Sequence, residues 1–364
     1  MTTPRATFRS GAACLLALLG ACVLGGGAAA AVVKPKTIIR AHKAEVWALA
    51  FSPDGKMLAS GDDNGGIQIW TADGKRRLAA PKTKRSKVYD LAFNPKLPIL
   101  AAGRGYGAVE FFSLRTGRMM GVAGTHESYV RCVVFSADGK HFLSGGNDVR
   151  AYLRDIKKNK PVAVFHRPDS QFNDMAFSPD GKLIAMAVAR RHPAGGWGGA
   201  MELWDVSTGK LSRTLMAKSA RTTSVAFSPD GRRVFYGFEK GIAVVWDLSR
   251  TEPDAKHERV LVGHDLGVES VVVSDDSKRL VTGGMEGRAI AWDVESGREL
   301  ARVDTLSDRT LKLVFSEENY TRHRPDCVFA TAFSPDGRIF ATGSGDGTVR
   351  LFDLPKEFAV GSAD

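Results

Sequence analysis

The chain is 364 residues long, with 43% hydrophobic, 25% charged and 9% aromatic residues. That composition excludes a disordered chain, a collagen and a disulfide scaffold. Lys and Arg total 51 against 40 Asp and Glu, a formal charge of +11, which favours anionic partners or surfaces without naming one.

Residues 1–30 read as an address. Arg5 and Arg9 precede an uncharged stretch from Gly11 to Val33 whose most apolar part, Ala12 to Leu24, suits a signal-peptide core and is short for a membrane span. Ala28-Ala29-Ala30 offers a cleavage site for soluble export to the periplasm. Leu19-Gly20-Ala21-Cys22 resembles a lipoprotein processing site, which would tether the domain to the envelope through Cys22. Retention as an uncleaved anchor is the third outcome, and the residues leave the three open. Cys14 and Cys22 belong to this leader; Cys132 and Cys327 fall in distant units and read as small buried apolar residues rather than a disulfide.

From residue 33 onward one phrase recurs. It starts at Phe51, Phe93, Phe135, Phe177, Phe227, Val273 and Phe333, in its full form as Phe51-Ser52-Pro53-Asp54-Gly55, with spacings of 42, 42, 42, 50, 46 and 60 residues. A period near 42 means stacked supersecondary units. Ser-Pro-Asp-Gly is a turn: Pro fixes φ, Asp bonds nearby backbone and Gly accepts positive φ. Short apolar runs flank each turn, as in Val46–Ala50 and Met57–Ser60, and a third and fourth run follow. Four short antiparallel strands cannot cover both their faces, but radial packing lets each sheet cover its neighbours. Unit 7 ends after its third strand, and Lys36–Arg40 is suited to supply the fourth. The expected fold is therefore all-β: one seven-bladed propeller of four-stranded antiparallel blades over residues 33–355, closed by the N-terminal strand, with 356–364 as a short tail.

The unit resembles the WD-repeat β-propeller family, here as an exported, bacterial-type member. Its clearest signatures are Ala41-His42…Ser60…Trp70, Gly263-His264…Thr282…Trp292-Asp293, Trp204-Asp205 and Trp246-Asp247. The resemblance implies a hydrogen-bonded tetrad of His, Ser or Thr, a turn acid and Trp within a blade. Unit 1 would use His42, Ser60, Asn64 and Trp70; unit 6 would use His264, Thr282, Glu286 and Trp292. Unit 3 keeps His126, Ser144 and Asp148 but has Arg154 in place of Trp, and units 2 and 5 lack the set. These histidines are expected to be structural.

The sequence carries no Gly-rich phosphate loop, Cys-x-x-Cys or His-Glu-x-x-His, so no catalytic residue, metal or cofactor is assigned. Asp90 and Asp174, at equivalent inner-strand positions, read as polar lining of a wet channel. Two departures from periodicity are expected on one face: an excursion over 189–200, with Arg190, Arg191, His192 and Trp197, and extra residues over 307–326. Matching the inner strands aligns Trp47, Tyr89, Arg131, Asn173, Thr223, Glu269 and Phe329, with Lys87, Tyr129 and Arg221 two residues before this row. The family resemblance implies partner binding at such entry positions, and their aromatic and basic mixture suits an acidic segment with apolar anchors. The expected function is a non-enzymatic, extracytoplasmic protein-interaction scaffold, monomeric within a complex and not a nucleic-acid binder. The alternative is a ligand-binding or enzymatic propeller with its site in the axial channel.

Overall fold

The computed structural model describes residues 31–354, except 82, 192–196, 219, 250–257 and 305–326. The leader, the excursion around 307–326 and the tail therefore lie outside the described residues. Among those described, every regular element is a strand.

Seven sheets follow one another along the chain; six have four strands, and in five of these the strands are taken in sequence order from the innermost outward. The innermost strands are Val46–Phe51, Val88–Phe93, Val130–Phe135, Ser170–Phe177, Thr222–Phe227, Val268–Val273 and Val328–Phe333. Each packs on the next, and the last packs on the first, so the ring is closed. Closure takes the expected form: Thr37–Ile39 pairs antiparallel with Val349–Asp353, in the register Thr37↔Leu351 and Ile39↔Val349. An added feature is a short parallel pairing of Ala31–Val32 with Ala301–Arg302, which gives blade 6 a fifth strand.

The recurrent turn is built as its residues dictate. The Ser52 hydroxyl donates to Asp54 at 2.6 Å, the Met57 and Lys56 amides donate to Ser52 Oγ and Asp54 Oδ1, and Gly55 takes φ +68°. The Ser–Asp pair repeats in blades 3 to 7. In blade 6 the glycine is replaced by Ser277, which still adopts φ +60°. Blade spacing is set by small residues in the second strands. A Cβ on Gly343 would lie 2.7 Å from Val46 Cγ1 across the closing seam, so only a residue without one fits.

Two tetrads form, with one correction. In blade 6 His264 pairs with Glu286 and, at 2.6 Å, with Thr282, to which Trp292 Nε1 donates at 2.9 Å. In blade 1 His42 pairs with Ser60 at 2.7 Å, and Trp70 donates to the same hydroxyl at 3.3 Å. The acid is Asp62, 2.9 Å from His42 Nδ1, and not Asn64, which is exposed. Asp62 also accepts the Gly66 amide across the hairpin, so a carboxylate two residues earlier reaches the ring that Asn64 turns away from. Blade 3 keeps the His126–Ser144–Asp148 chain, and Arg154 stacks over Tyr152.

Blades 2 and 4 replace the tetrad by ion pairs, fully buried in blade 2 and half-buried in blade 4. Arg104 and Glu110 are both fully buried, 3.3 Å apart, and Tyr106 donates to Glu110. Arg104 also reaches the carbonyls of Gly65 and Lys84, tying blade 2 to blade 1. Glu202 is buried against Arg167 at 2.8 Å and accepts from Trp204.

Candidate functional site

Each innermost strand carries a register shift near its start, between Val46 and Ala48 in blade 1 and at matching places in the other six. A bulge leaves one residue unpaired and re-aims its side chain. The seven bulged residues are Trp47, Tyr89, Arg131, Asn173, Thr223, Glu269 and Phe329, the row aligned from the sequence, and all seven line one axial cavity of about 200 Å³. The innermost strands run from this end toward the Ser-Pro-Asp-Gly turns, so the cavity is the channel mouth on the face that carries the strand 2–3 hairpins.

The mouth is two-sided. Blades 7, 1, 2 and 3 form an aromatic and cationic arc. Phe329 stacks on Trp47 with centroids 4.0 Å apart, Trp47 meets Tyr89 edge-on at 6.3 Å, and Tyr89 stacks on Tyr129 at 5.7 Å. Lys87 Nζ lies 3.0 Å above the Trp47 ring and 4.9 Å from that of Tyr89, while Arg131 lies 5.5 Å over Tyr89. Asp63, in the strand 2–3 hairpin, fixes Lys87 at 3.1 Å, and Glu45 accepts from Trp47 Nε1 at 3.0 Å. Burial pushes the Lys87 ammonium below its usual range, against the opposing pull of Asp63 and Glu45. Tyr129 remains 46% exposed at the rim.

Blades 4, 5 and 6 supply polar groups instead. Asn173 donates to the Thr222 carbonyl at 2.7 Å, and Thr223 to that of Val268. Burial raises Glu269, while the fields of Arg131 and Arg221 hold it down. Below this ring a belt of hydrogen bonds stitches consecutive blades. Asp90 accepts from the Val133 amide, Asp174 from the Val225 amide and Ser224, Ser224 from the Val271 amide, and Ser270 from the Thr331 amide. Asp90 and Asp174 thus line the cavity, as expected, and also join blades. Burial pushes Asp90 up to about 7 and raises Asp174. Cys132 sits in the same belt, its thiol 3.6 Å from the Met175 carbonyl; Cys327 is buried as well, and its thiol donates to the Met285 carbonyl at 2.8 Å.

Six of the sequence-selected residues come together in this arc: Trp47, Lys87, Tyr89, Tyr129, Arg131 and Phe329. Arg221 joins them through its field on Arg131 and Glu269. The excursion over 189–200 is largely not a loop. Strands Leu183–Arg191 and Trp197–Asp205 extend the ladder to Arg191↔Trp197, against six-residue strands in most blades. The extra rungs Ala189↔Gly199, Arg190↔Gly198 and Arg191↔Trp197 lengthen this ladder by roughly 10 Å at about 3.3 Å per residue. Arg190 is exposed on this hairpin and does not line the cavity; His192 lies outside the described residues. Missed from the sequence were Asp63, which anchors Lys87, and the pairs Arg104–Glu110 and Arg167–Glu202. Charged residues inside apolar runs of the very units that lack a tetrad histidine were the available signal for those pairs.

A closed ring of seven antiparallel sheets around an axial cavity defines a seven-bladed β-propeller. The WD domain, G-beta repeat family matches residues 33–71, 255–293 and 316–353, and a eukaryotic translation initiation factor eIF2A family matches 103–236. The chain is 30% identical over 125 residues to a guanine nucleotide-binding protein subunit beta of Oryza sativa subsp. japonica, covering 32% of this chain and 31% of that protein. It is 28% identical over 130 residues to the small ribosomal subunit protein RACK1 of Drosophila melanogaster, covering 33% and 38%. It is likewise 28% identical over 125 residues to the WD repeat-containing protein VIP3 of Arabidopsis thaliana, covering 30% and 37%. The matched part is about a third of each relative's length. These matches and the seven blades support a WD-repeat propeller. The relatives are eukaryotic, so the bacterial-type assignment finds no support among them.

Proposed function

We propose that this protein is a non-enzymatic interaction platform acting outside the cytoplasm, which seats a partner protein on the channel-mouth face. The observation that carries the reading is the convergence of the bulged residues into one arc in which Phe329, Trp47, Tyr89 and Tyr129 are interleaved with Lys87 and Arg131. Aromatic and arginine side chains held rigidly in a small concavity are the residues that dominate binding energy at protein interfaces. Blade-to-blade hydrogen bonds beneath them keep the arc preorganised. Two of the relatives are named as a subunit beta and as a small ribosomal subunit protein, so their names place them in assemblies. Support for export comes from the arginine-flanked apolar leader at residues 1–30, with Cys22 as the tether if it is lipidated.

The test replaces Tyr129 by a photo-crosslinking residue in the full chain and identifies adducts in the native envelope, with and without Trp47→Ala. A defined partner lost in the Trp47→Ala protein, with an unchanged melting temperature, supports the platform. Adducts indifferent to Trp47 refute it. The mass of the native N-terminus tests export: a first residue near Ala31 or a lipidated Cys22 fits, and an intact Met1 leader refutes cleavage.

A further inference from the structure

We propose that the channel mouth selects a single carboxylate: Arg131, with Lys87 beside it, receives one carboxylate of an extended partner segment whose neighbouring aromatic side chain lies against the exposed ring of Tyr129 at the rim. This inference rests on the platform reading and states which chemistry the platform accepts.

The first argument is that the mouth already holds its own cations. An arc of four aromatic rings attracts ammonium or guanidinium groups through their π faces. Here Lys87 Nζ sits 3.0 Å above Trp47, and Arg131 lies over Tyr89 at 5.5 Å. A lysine or arginine arriving from a partner finds those faces occupied and meets two like charges in a partly dehydrated cavity. Like charges a few ångströms apart repel more strongly where water is partly excluded. The site is therefore closed to cations although it is aromatic.

The second argument is what the two cations are doing. Lys87 is committed to Asp63 at 3.1 Å. Arg131 is not committed in this way: its Nε has no hydrogen-bond partner, and among the described residues no carboxylate forms an ion pair with it. Its charge faces the ring of Tyr89 and the shared field of Glu269, which also serves Arg221. A guanidinium presents five donors in a fixed fork that matches a carboxylate. Buried donors without a partner are the groups whose satisfaction gains most on binding.

The third argument is capacity. A cavity of about 200 Å³ admits one side chain rather than a drug-sized ligand. Among the described residues Arg131 is the one cationic side chain that lines it, beside Glu269, so a second negative charge on the incoming group has no counter-charge to meet. A monoanion with a planar apolar neighbour fits; a phosphate dianion does not.

The experiment uses the full chain at low ionic strength and four probes in calorimetric and saturation-transfer titrations: N-acetylphenylalanine, its neutral amide, phenylalaninamide as the cation, and inorganic sulfate. The expected result is at least tenfold tighter binding of the carboxylate than of the amide, with no binding of the cation. Arg131→Gln removes that preference, and Lys87→Gln weakens it about threefold. Should Arg131→Gln misfold, the salt dependence of the native protein substitutes, steep for the carboxylate and flat for the amide. Equal binding of carboxylate and amide, a folded Arg131→Gln protein that binds like the native one, or sulfate competing on equal terms would each overturn the inference, the last as an adventitious anion only. If carboxylate preference is absent while a Trp47-dependent partner is still captured, the carboxylate inference alone fails. If no such partner exists, the platform itself fails.

Discussion

Replacing Arg104 by Met separates the charges that hold blade 2 together. Arg104 and Glu110 have no solvent exposure, lie 3.3 Å apart, and are backed by the Gly65 and Lys84 carbonyls and the Tyr106 hydroxyl. The substitution leaves Glu110 buried opposite an apolar group. Removing one member of a buried pair costs about 3–5 kcal/mol, because the survivor keeps its desolvation penalty and loses its counter-charge. At roughly 2–4 °C per kcal/mol for a domain approaching this size, the melting temperature should fall by roughly 6–20 °C. Arg104→Met with Glu110→Leu removes both charges, and replacing a buried pair by apolar groups is close to neutral. Two carbonyls still lose their donor, so the double variant should stay about 1–2 kcal/mol below the native protein. The coupling between the two sites is then at least about 2 kcal/mol. Urea titrations followed by tryptophan fluorescence, run as a double-mutant cycle, measure it. A single-variant cost under about 1 kcal/mol, or a double equal to the sum of the singles, refutes the account of a charge-stapled blade.

Asp62→Ala should cost about 1–3 kcal/mol through the orphaned His42 ring and Gly66 amide, whereas Asn64→Ala should stay within about 0.5 kcal/mol; the same urea titrations compare them. Ser277→Gly relieves a left-handed serine at φ +60° at the loss of a 3.3 Å contact with the Asp230 amide, so stability should rise by about 0.5–1 kcal/mol. Asp90 is pushed up to about 7 by burial, so its neutral form belongs to the folded state. Its contribution is fully present below about pH 4, declines as pH rises toward 7 and is lost above. Thermal melts from pH 4 to 8 should therefore show a steeper loss for the native chain than for Asp90→Asn, and identical slopes would contradict the assignment.

Much of the candidate site was legible because a repeat imposes a register. Once Trp47 and Tyr89 are aligned by their distance from Phe51 and Phe93, the same count finds Arg131, Glu269 and Phe329, and the bulge in every inner strand turns all of them to the axis. What the count did not show is which neighbours each side chain meets. Lys87 and Asp63 are 24 positions apart and belong to different blades, so their ion pair is a product of blade packing. The excursion at 189–200 read as a loop because glycine-rich sequence carries no strand propensity, yet its backbone completes a ladder whose register the preceding strand imposes.

The order of residues by itself determined the blade count, the turn chemistry, the closing strand and the row of entry positions, because each is a local pattern that repeats at fixed spacing. Only the tertiary structure decided that Asp62 and not Asn64 completes the first tetrad, that blades 2 and 4 carry an ion pair in place of a tetrad, and that the mouth is aromatic and cationic on one side and polar on the other. Those outcomes depend on which side chains from different blades come within a few ångströms of one another once the ring closes. Spacing along the chain carries no record of that.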